Sequence, residues 1–308
     1  MGLCQDPTAM TEITMPPGNI PETLAFIGFG EAARAFVSGW AQSRPDTIRA
    51  YDIKTDAPAD RAPLLAQYAA HSVTPALSPD AALAGAVAIF CVVTADQALV
   101  AAQAATPYLP PGALWFDCNS CAPNTKRRAA EVIEAAGGRY VDVAVMAPVY
   151  PKKHLVPLLI AGPHTQAAQT VLEALGMRPR IVGDTVGKAS SIKMLRSVMI
   201  KGLEALSAEC FLAARRAGVE QEVIASLIAS DPDIDWRARG SYNLERMMVH
   251  GARRAAEMHE VAATVADLGL PGAMSGASAL WQATVAGLGA DPGEDDLETR
   301  MDRVLSRL

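Results

Sequence analysis

Lys193, Ser197 and Lys201 recur every four residues along a stretch that apolar spacing predicts to be one long helix, so their side chains share one face. An apolar stripe lies opposite them, formed by Ile192, Leu195, Met199 and Leu203. A lysine in a water-poor site has its charged form disfavoured, which lowers its pKa and lets the amine accept a proton. Such an amine could serve as general base in alcohol oxidation, an effect of about 10²–10⁴-fold. The alternative, a solvated lysine on a surface helix, stays open on spacing alone.

A second chemical feature is a glycine-rich turn that follows a predicted strand and opens a predicted helix. Gly28 permits the tight turn, Gly30 lets a pyrophosphate approach the backbone, and Ala33 allows the helix to pack closely on the strand. The unpaired N–H groups at the start of the helix favour anionic phosphates. The predicted dinucleotide-binding turn consists of Gly28, Phe29, Gly30, Glu31, Ala32 and Ala33.

Asp52 ends the next predicted strand, 52 − 28 = 24 residues after Gly28. An aspartate near this offset accepts hydrogen bonds from the adenosine ribose and repels a 2′-phosphate, which favours NAD over NADP. Lys54 keeps NADP open, and Asp52 as a mere turn residue is the alternative. Val93 and Thr94 should also contact the cofactor, because ligands bind at the carboxyl ends of such strands.

These residues need a parallel sheet to position them, and short β-rich runs alternate with Ala-rich helical stretches through the first 180 residues. This alternation predicts repeated βαβ units, with strands over 24–28, 47–51, 87–93, 114–117, 139–145, 158–161 and 180–182. After Gly187 the chain reads as helical, with long helices predicted over 188–217 and 243–267. The predicted fold is α/β: a flexible leader (1–21), a doubly wound Rossmann domain (22–184) and an all-helical substrate and dimerisation domain (185–308).

The order of the motifs resembles the superfamily of 3-hydroxyacid dehydrogenases and 6-phosphogluconate dehydrogenases. The motifs are GFGEAA at 28–33, YD at 51–52, DCNS at 117–120 and VGKASSIKMLRS at 186–197. The resemblance implies an N-terminal NAD(P)-binding domain and a helical C-terminal domain, here of a less-characterised branch, that forms a homodimer. It also implies that Lys193 is the catalytic lysine and that Asn119 and Ser120 contact substrate and nicotinamide.

Two positions depart from the pattern of that superfamily. Ser197 stands where the family has an asparagine four residues after the lysine; serine still forms hydrogen bonds and is expected to orient substrate, but it is shorter. The family's Gly-Gly substrate loop is replaced by MAPVYP at 146–151, and proline lacks a backbone donor.

In the second predicted domain, Arg246, His250, Arg253 or Arg254, and Glu257 fall on one helical face. We predict that this face, with His250 as a substrate-binding residue, closes the active-site cleft on an anionic substrate; a solvated charged face is the alternative. Cys118 and Cys121 form a single C-x-x-C pair, which is weak support for zinc, so no metal site is predicted.

Composition limits the function classes. The chain has 308 residues, 50% of them hydrophobic, and 27 Lys+Arg against 33 Asp+Glu give a net charge of −6. This balance argues against general nucleic-acid binding. Five cysteines, no signal-peptide pattern and no apolar run of about 18 residues favour a cytoplasmic protein without a membrane span.

The leading hypothesis is therefore an NAD(P)-dependent oxidoreductase acting on a small 3-hydroxy acid, with Lys193 as general acid and base. Reduction of an imine or ketone on the same scaffold is a second hypothesis. A dinucleotide-binding sensor without turnover is a third, since fold does not imply chemistry.

Overall fold

The computed structural model describes residues 20–308. The chain divides into two compact units, one ending at Lys193 and the other beginning at Met194. Nearly all of the leader predicted over 1–21 lies outside the described residues.

The first unit contains an eight-stranded sheet whose strands lie in the order β3-β2-β1-β4-β5-β6-β7-β8. Every neighbouring pair is parallel except β6 and β7. The strands are β1 (Thr23–Ile27), β2 (Thr47–Tyr51), β3 (Thr74–Pro75), β4 (Ala88–Cys91), β5 (Leu114–Asp117), β6 (Arg139–Val145), β7 (Pro157–Ala161) and β8 (Arg178–Gly183). This mainly parallel sheet, followed by an all-helical region, confirms the predicted fold class.

Helices connect the parallel strands because a crossover is needed to return the chain to the same edge of the sheet. The helices of the sheet unit are α1 (Glu31–Gly39), α2 (Pro58–Ala70), α3 (Pro79–Leu83), α4 (Ala98–Ala105), α5 (Pro123–Ala135) and α6 (Thr165–Ala174). Between β6 and β7 there is no α-helix, only a loop with one 3-10 turn, Lys153–Leu155. This short return is why β7 runs antiparallel to β6.

An aromatic core fixes α1 against the sheet. Phe36 of α1 and Trp40, directly after the helix, are 0% and 1% exposed. The ring of Trp40 stacks on Phe26 of β1 at 5.8 Å, and Phe90 of β4 stacks on Phe116 of β5 at 4.8 Å. Burial of these rings holds the ends of β1, β4 and β5, where the candidate site lies, in a fixed arrangement.

The second unit is helical. Its elements are α7 (Lys188–Ala217), which begins in the first unit, α8 (Glu220–Ser230), α9 (Trp236–Asp267), α10 (Ala273–Gly287) and α11 (Leu297–Leu305). Helix α7 has the predicted bounds and is followed by Gly218 at φ +70°. Helix α9 begins seven residues before the predicted start. None of the helices within residues 20–308 has the length and apolar character needed to cross a membrane.

Helix α7 exposes its apolar face. The α7 stripe, defined here as Ile192, Leu195, Met199, Leu203 and Leu206, has side chains 37–63% exposed. Ser197 and Lys201, on the polar face, are only 7% and 6% exposed. This is the reverse of an ordinary surface helix, which turns its apolar stripe inward.

Candidate active site

The turn between β1 and α1 has the geometry of a phosphate cradle. Gly28 has φ +88°, and a Cβ there would lie 2.7 Å from the carbonyl oxygen of Val92, so only glycine fits. At Gly30 a Cβ would meet no atom within 4 Å, which leaves open space before α1. No side chain among the described residues caps this helix start. Its N–H groups are therefore available to an anion.

Asp52, directly after β2, is anchored to the same turn. Its Oδ2 accepts a hydrogen bond from the Phe29 N–H at 2.8 Å, and its Oδ1 accepts one from the Lys54 N–H at 3.0 Å. The Phe29 ring is buried against the Tyr68 ring, with 4.7 Å between the ring centroids, so Phe29 contributes its backbone and not its side chain to the surface of the turn. Of the other predicted turn residues, Glu31 is exposed, Ala32 is half-buried and Ala33 is buried under α1.

The ends of β4 and β5 are joined by Asn119, which is 4% exposed. Its Oδ1 accepts the Val93 N–H at 2.7 Å, and its Nδ2 donates to Asp117 Oδ1 at 2.7 Å. Both ends of the amide are thus engaged within the protein, which fixes the loop carrying Ser120. Thr94 follows Val93 and starts a short 3-10 turn.

Lys193 and Ser120 are brought together at the carboxyl end of β5. The Lys193 Nζ donates a hydrogen bond to Ser120 Oγ at 2.5 Å, in a half-buried environment. The two residues are 73 positions apart in sequence. This arrangement places an amine beside a hydroxyl at the sheet edge where parallel α/β folds bind ligands.

Ser197 and His250 lie in the helical unit. On the buried polar face of α7, Lys201 forms an ion pair with Glu257 of α9 at 2.5 Å. Burial, and then the positive charges of Arg246 and Arg253, lower the pKa of His250. Its imidazole is therefore neutral at pH 7, and the positive charge on this face comes from the arginines.

Cys118 and Cys121 are buried, and neither forms a disulfide. Burial raises the pKa of Cys118 to about 12, so it is not a reactive thiolate near neutral pH. The two side chains are 7% and 0% exposed, on either side of Asn119 and Ser120 in sequence.

Sequence reasoning missed three buried ionic residues behind this site. Lys126 is fully buried between Asp117 and Asp142, at 3.0 Å and 3.6 Å. In sequence Lys126 belongs to a run, Lys-Arg-Arg, that looks like a solvated helix face. Only the position of Asp117 and Asp142 inside otherwise apolar strands hints at a buried partner.

Two family descriptions match the chain. Residues 23–183 match the NAD binding domain of 6-phosphogluconate dehydrogenase. Residues 214–285 match a domain of unknown function, DUF1932.

Solved structures match over nearly the whole chain. A conserved hypothetical protein from Sinorhizobium meliloti 1021 is 37% identical, with a TM-score of 0.76, and the match covers 94% of this chain and 98% of that one. A conserved protein of unknown function, described as structurally similar to 3-hydroxyacid dehydrogenases, is 26% identical with a TM-score of 0.66; 87% of this chain and all of that one are covered.

A curated relative matches over a shorter length. It is an uncharacterised 28.5 kDa protein of Methanothermus fervidus, 28% identical over 153 residues. The match covers 48% of this chain and 56% of that protein, which is less than two thirds of its length.

Proposed function

The chain belongs to the family of the NAD-binding domain of 6-phosphogluconate dehydrogenase, as its motif order predicts, and from this premise we propose its activity. It is an oxidoreductase that transfers a hydride between a nicotinamide cofactor and a small 3-hydroxy acid, with Lys193 as general acid and base. The observation that supports this most directly is the hydrogen bond between Lys193 Nζ and Ser120 Oγ at the carboxyl end of β5.

The residues present fit a dinucleotide. The Cβ position of Gly30 faces open space at an uncapped helix start, which suits a pyrophosphate. Asp52 is held at the end of β2, where its carboxylate can accept the ribose hydroxyls and its charge disfavours a 2′-phosphate. We therefore propose NAD as the preferred cofactor.

The chemistry assigned to the protein is proton transfer and orientation. When bound, the nicotinamide would supply the hydride acceptor or donor. Lys193 takes the proton from the substrate hydroxyl at Nζ during oxidation and returns it in the reverse direction. Ser120 orients the amine through its Oγ, and Ser197, one turn further along α7, offers a shorter hydrogen-bonding group than the family's asparagine.

We propose a substrate with a carboxylate because three arginines lie near His250 on one face of α9, two of which also pair with glutamates: Arg253 with Glu257 at 3.5 Å and Arg254 with Glu204 at 3.2 Å. Arg246, Arg253 and Arg254 lie near His250 on this face and act electrostatically on it. Since the lowered pKa of His250 leaves it neutral at pH 7, we assign it a hydrogen bond to the substrate and leave the attraction of charge to the arginines.

Replacement of Lys193 tests the assignment. We expect Lys193→Ala to lower kcat by about 10²–10⁴-fold, because the positioned proton acceptor is lost. The Kd for NAD should stay nearly unchanged, since no residue of the glycine turn is altered. Turnover is measured from reduced-cofactor absorbance against a panel of 3-hydroxy acids, with ketones and imines in the reverse direction.

Lys188→Ala is the matched control, because Lys188 is an exposed lysine at the start of the same helix. It should keep wild-type turnover. If Lys193→Ala also keeps it, Lys193 is not the acid and base. Cofactor binding by the wild-type protein without turnover across the whole panel would instead favour a dinucleotide sensor.

We also propose that the protein forms a homodimer through its helical unit. The supporting observation is the exposed α7 stripe, whose five large apolar side chains are 37–63% exposed in the single chain. A contiguous apolar surface of this kind is typical of protein interfaces.

A further inference from the structure

Lys126 of α5 forms the centre of a buried ionic cluster behind the candidate site. Its Nζ donates to the Asp117 backbone oxygen at 2.5 Å and to Asp117 Oδ1 at 3.0 Å. Asp142 Oδ1 lies 3.6 Å away. Burial alone would lower the pKa of Lys126, but the carboxylates of Asp117 and Asp142, together with Cys121, hold it above its ordinary value. The ammonium group therefore stays charged and joins β5 to β6.

On one side the cluster fixes the loop that carries Ser120. The Asp117 carboxylate accepts the Asn119 backbone N–H at 3.0 Å and the Asn119 Nδ2 at 2.7 Å. It also accepts the Tyr140 hydroxyl at 2.7 Å. Since the loop turns directly after Asp117, these bonds set where Ser120 stands.

On the other side the cluster fixes the start of α7. Asp142 Oδ2 accepts the Gly187 N–H at 3.0 Å, the Ser190 N–H at 3.1 Å and the Ser190 Oγ at 3.1 Å. The first turn of a helix leaves its N–H groups unpaired. Here Asp142, from the middle of a neighbouring strand, supplies the cap, and Lys193 follows Ser190 by three residues on the same helix.

We infer that Lys126 and Asp142 are positioning residues for the proposed reaction. Lys126 couples the Asp117 end of the cluster to the Asp142 end, so the Ser120 loop and the first turn of α7 are held in one arrangement that keeps Lys193 Nζ on Ser120 Oγ. This inference rests on the proposed function of Lys193, and it assigns a positioning role to two residues outside the hydrogen bond between Lys193 Nζ and Ser120 Oγ.

Asp142→Asn is the principal test because it keeps the size of the side chain while removing its charge. Its amide N–H groups would face the Lys126 ammonium or the donors of α7, so one side of the coupling is lost. We expect kcat for the hydroxy acid identified in the panel to fall about 10- to 100-fold, since small misplacements of a reacting group cost this much. KM and the Kd for NAD should change little.

A second readout, independent of turnover, is the rate at which an amine-reactive ester acylates Lys193, followed by mass spectrometry. The rate is divided by that of Lys188 in the same sample. In Asp142→Asn this ratio should rise several-fold above its wild-type value.

Two serine variants provide a matched pair. Ser190→Ala removes one hydrogen bond to Asp142 and should shift both readouts in the same direction but less. Ser191→Ala removes a hydroxyl that donates to the Gly187 carbonyl oxygen at 2.6 Å and not to Asp142, and it should shift neither readout. The double variant Asp142→Asn/Lys193→Ala should be no slower than Lys193→Ala alone, because residues that act through one group are not additive.

The inference is overturned if Asp142→Asn leaves the acylation rate of Lys193 at its wild-type value, or if the double variant is slower by the full product of the single effects. Wild-type turnover in Lys193→Ala would overturn the proposed function instead. The acylation readout would still report whether Asp142 holds the amine.

Discussion

At the scale of single residues, Asp52 is the group proposed to select the cofactor, and its two hydrogen bonds to backbone N–H groups fix the carboxylate at the glycine turn. We expect Asp52→Asn to weaken NAD binding roughly 10- to 100-fold, because hydrogen bonds to a charged group contribute about 1.5–3 kcal/mol. NADP binding should be unchanged or tighter, because the charge that repels a 2′-phosphate is gone. Calorimetric titration with both cofactors measures the ratio. Asp56→Asn is the control, because Asp56 is a nearby aspartate that accepts a hydrogen bond from the Tyr51 hydroxyl and not from the glycine turn; it should leave the ratio unchanged. Equal losses of NAD and NADP affinity in Asp52→Asn would contradict the assignment.

Local patterns predict some of these residues and not others. Gly28 and Asp52 are recognisable because a turn and a strand end impose their types at a fixed offset. Lys126 and Asp142 are not, because a buried ion pair depends on which strands become neighbours. Asp142 bonds to Ser190, 48 positions away, and nothing near either residue encodes that contact. That Lys193 and Ser120 belong to one site could be predicted only from the family resemblance, because no local pattern links them.

At the scale of elements, helices α9 and α10 approach closely at Gly251. A Cβ there would lie 2.5 Å from the Gln282 carbonyl oxygen and 2.9 Å from Ala286 Cβ. We expect Gly251→Ala to lower the free energy of unfolding of the helical unit by about 1–3 kcal/mol through overpacking. Gly276→Ala in α10 is the opposite case, because no atom lies within 4 Å of the new Cβ and alanine favours the helix by roughly 0.5–1 kcal/mol. Urea denaturation followed by circular dichroism compares them; equal stability of the two variants would refute the close approach.

The bounds of an element with a strong apolar period could be predicted closely. The start of a helix that depends on one capping residue, and the direction of a strand that depends on its connection, could not. The bounds of α7 follow from its apolar spacing and the glycine after it. The start of α9 at Trp236 depends on Asp235, whose carboxylate accepts the Ala238 N–H at 3.0 Å in a segment with no apolar period. The two-residue strand β3 contains Pro75 and is exposed, so it lacks the usual β signal. The antiparallel direction of β7 follows from the short loop between β6 and β7, and the residues of β7 themselves do not encode it.

At the scale of the whole molecule, the exposed α7 stripe is the feature that a single chain leaves unexplained. Met199 and Leu206 are 63% and 57% exposed, so changing them should leave the fold of the chain intact. If a second copy covers the stripe, each large apolar side chain buried there contributes about 1.5–3 kcal/mol, and a charge in its place opposes association. We therefore expect Met199→Glu/Leu206→Glu to convert a dimer into a monomer with an unchanged circular dichroism spectrum and NAD affinity, as measured by light scattering. Leu77→Glu, at a residue 59% exposed in the sheet unit, should remain dimeric. A monomeric wild-type protein, or a dimer that survives both glutamates, would show that the stripe is not where two copies meet.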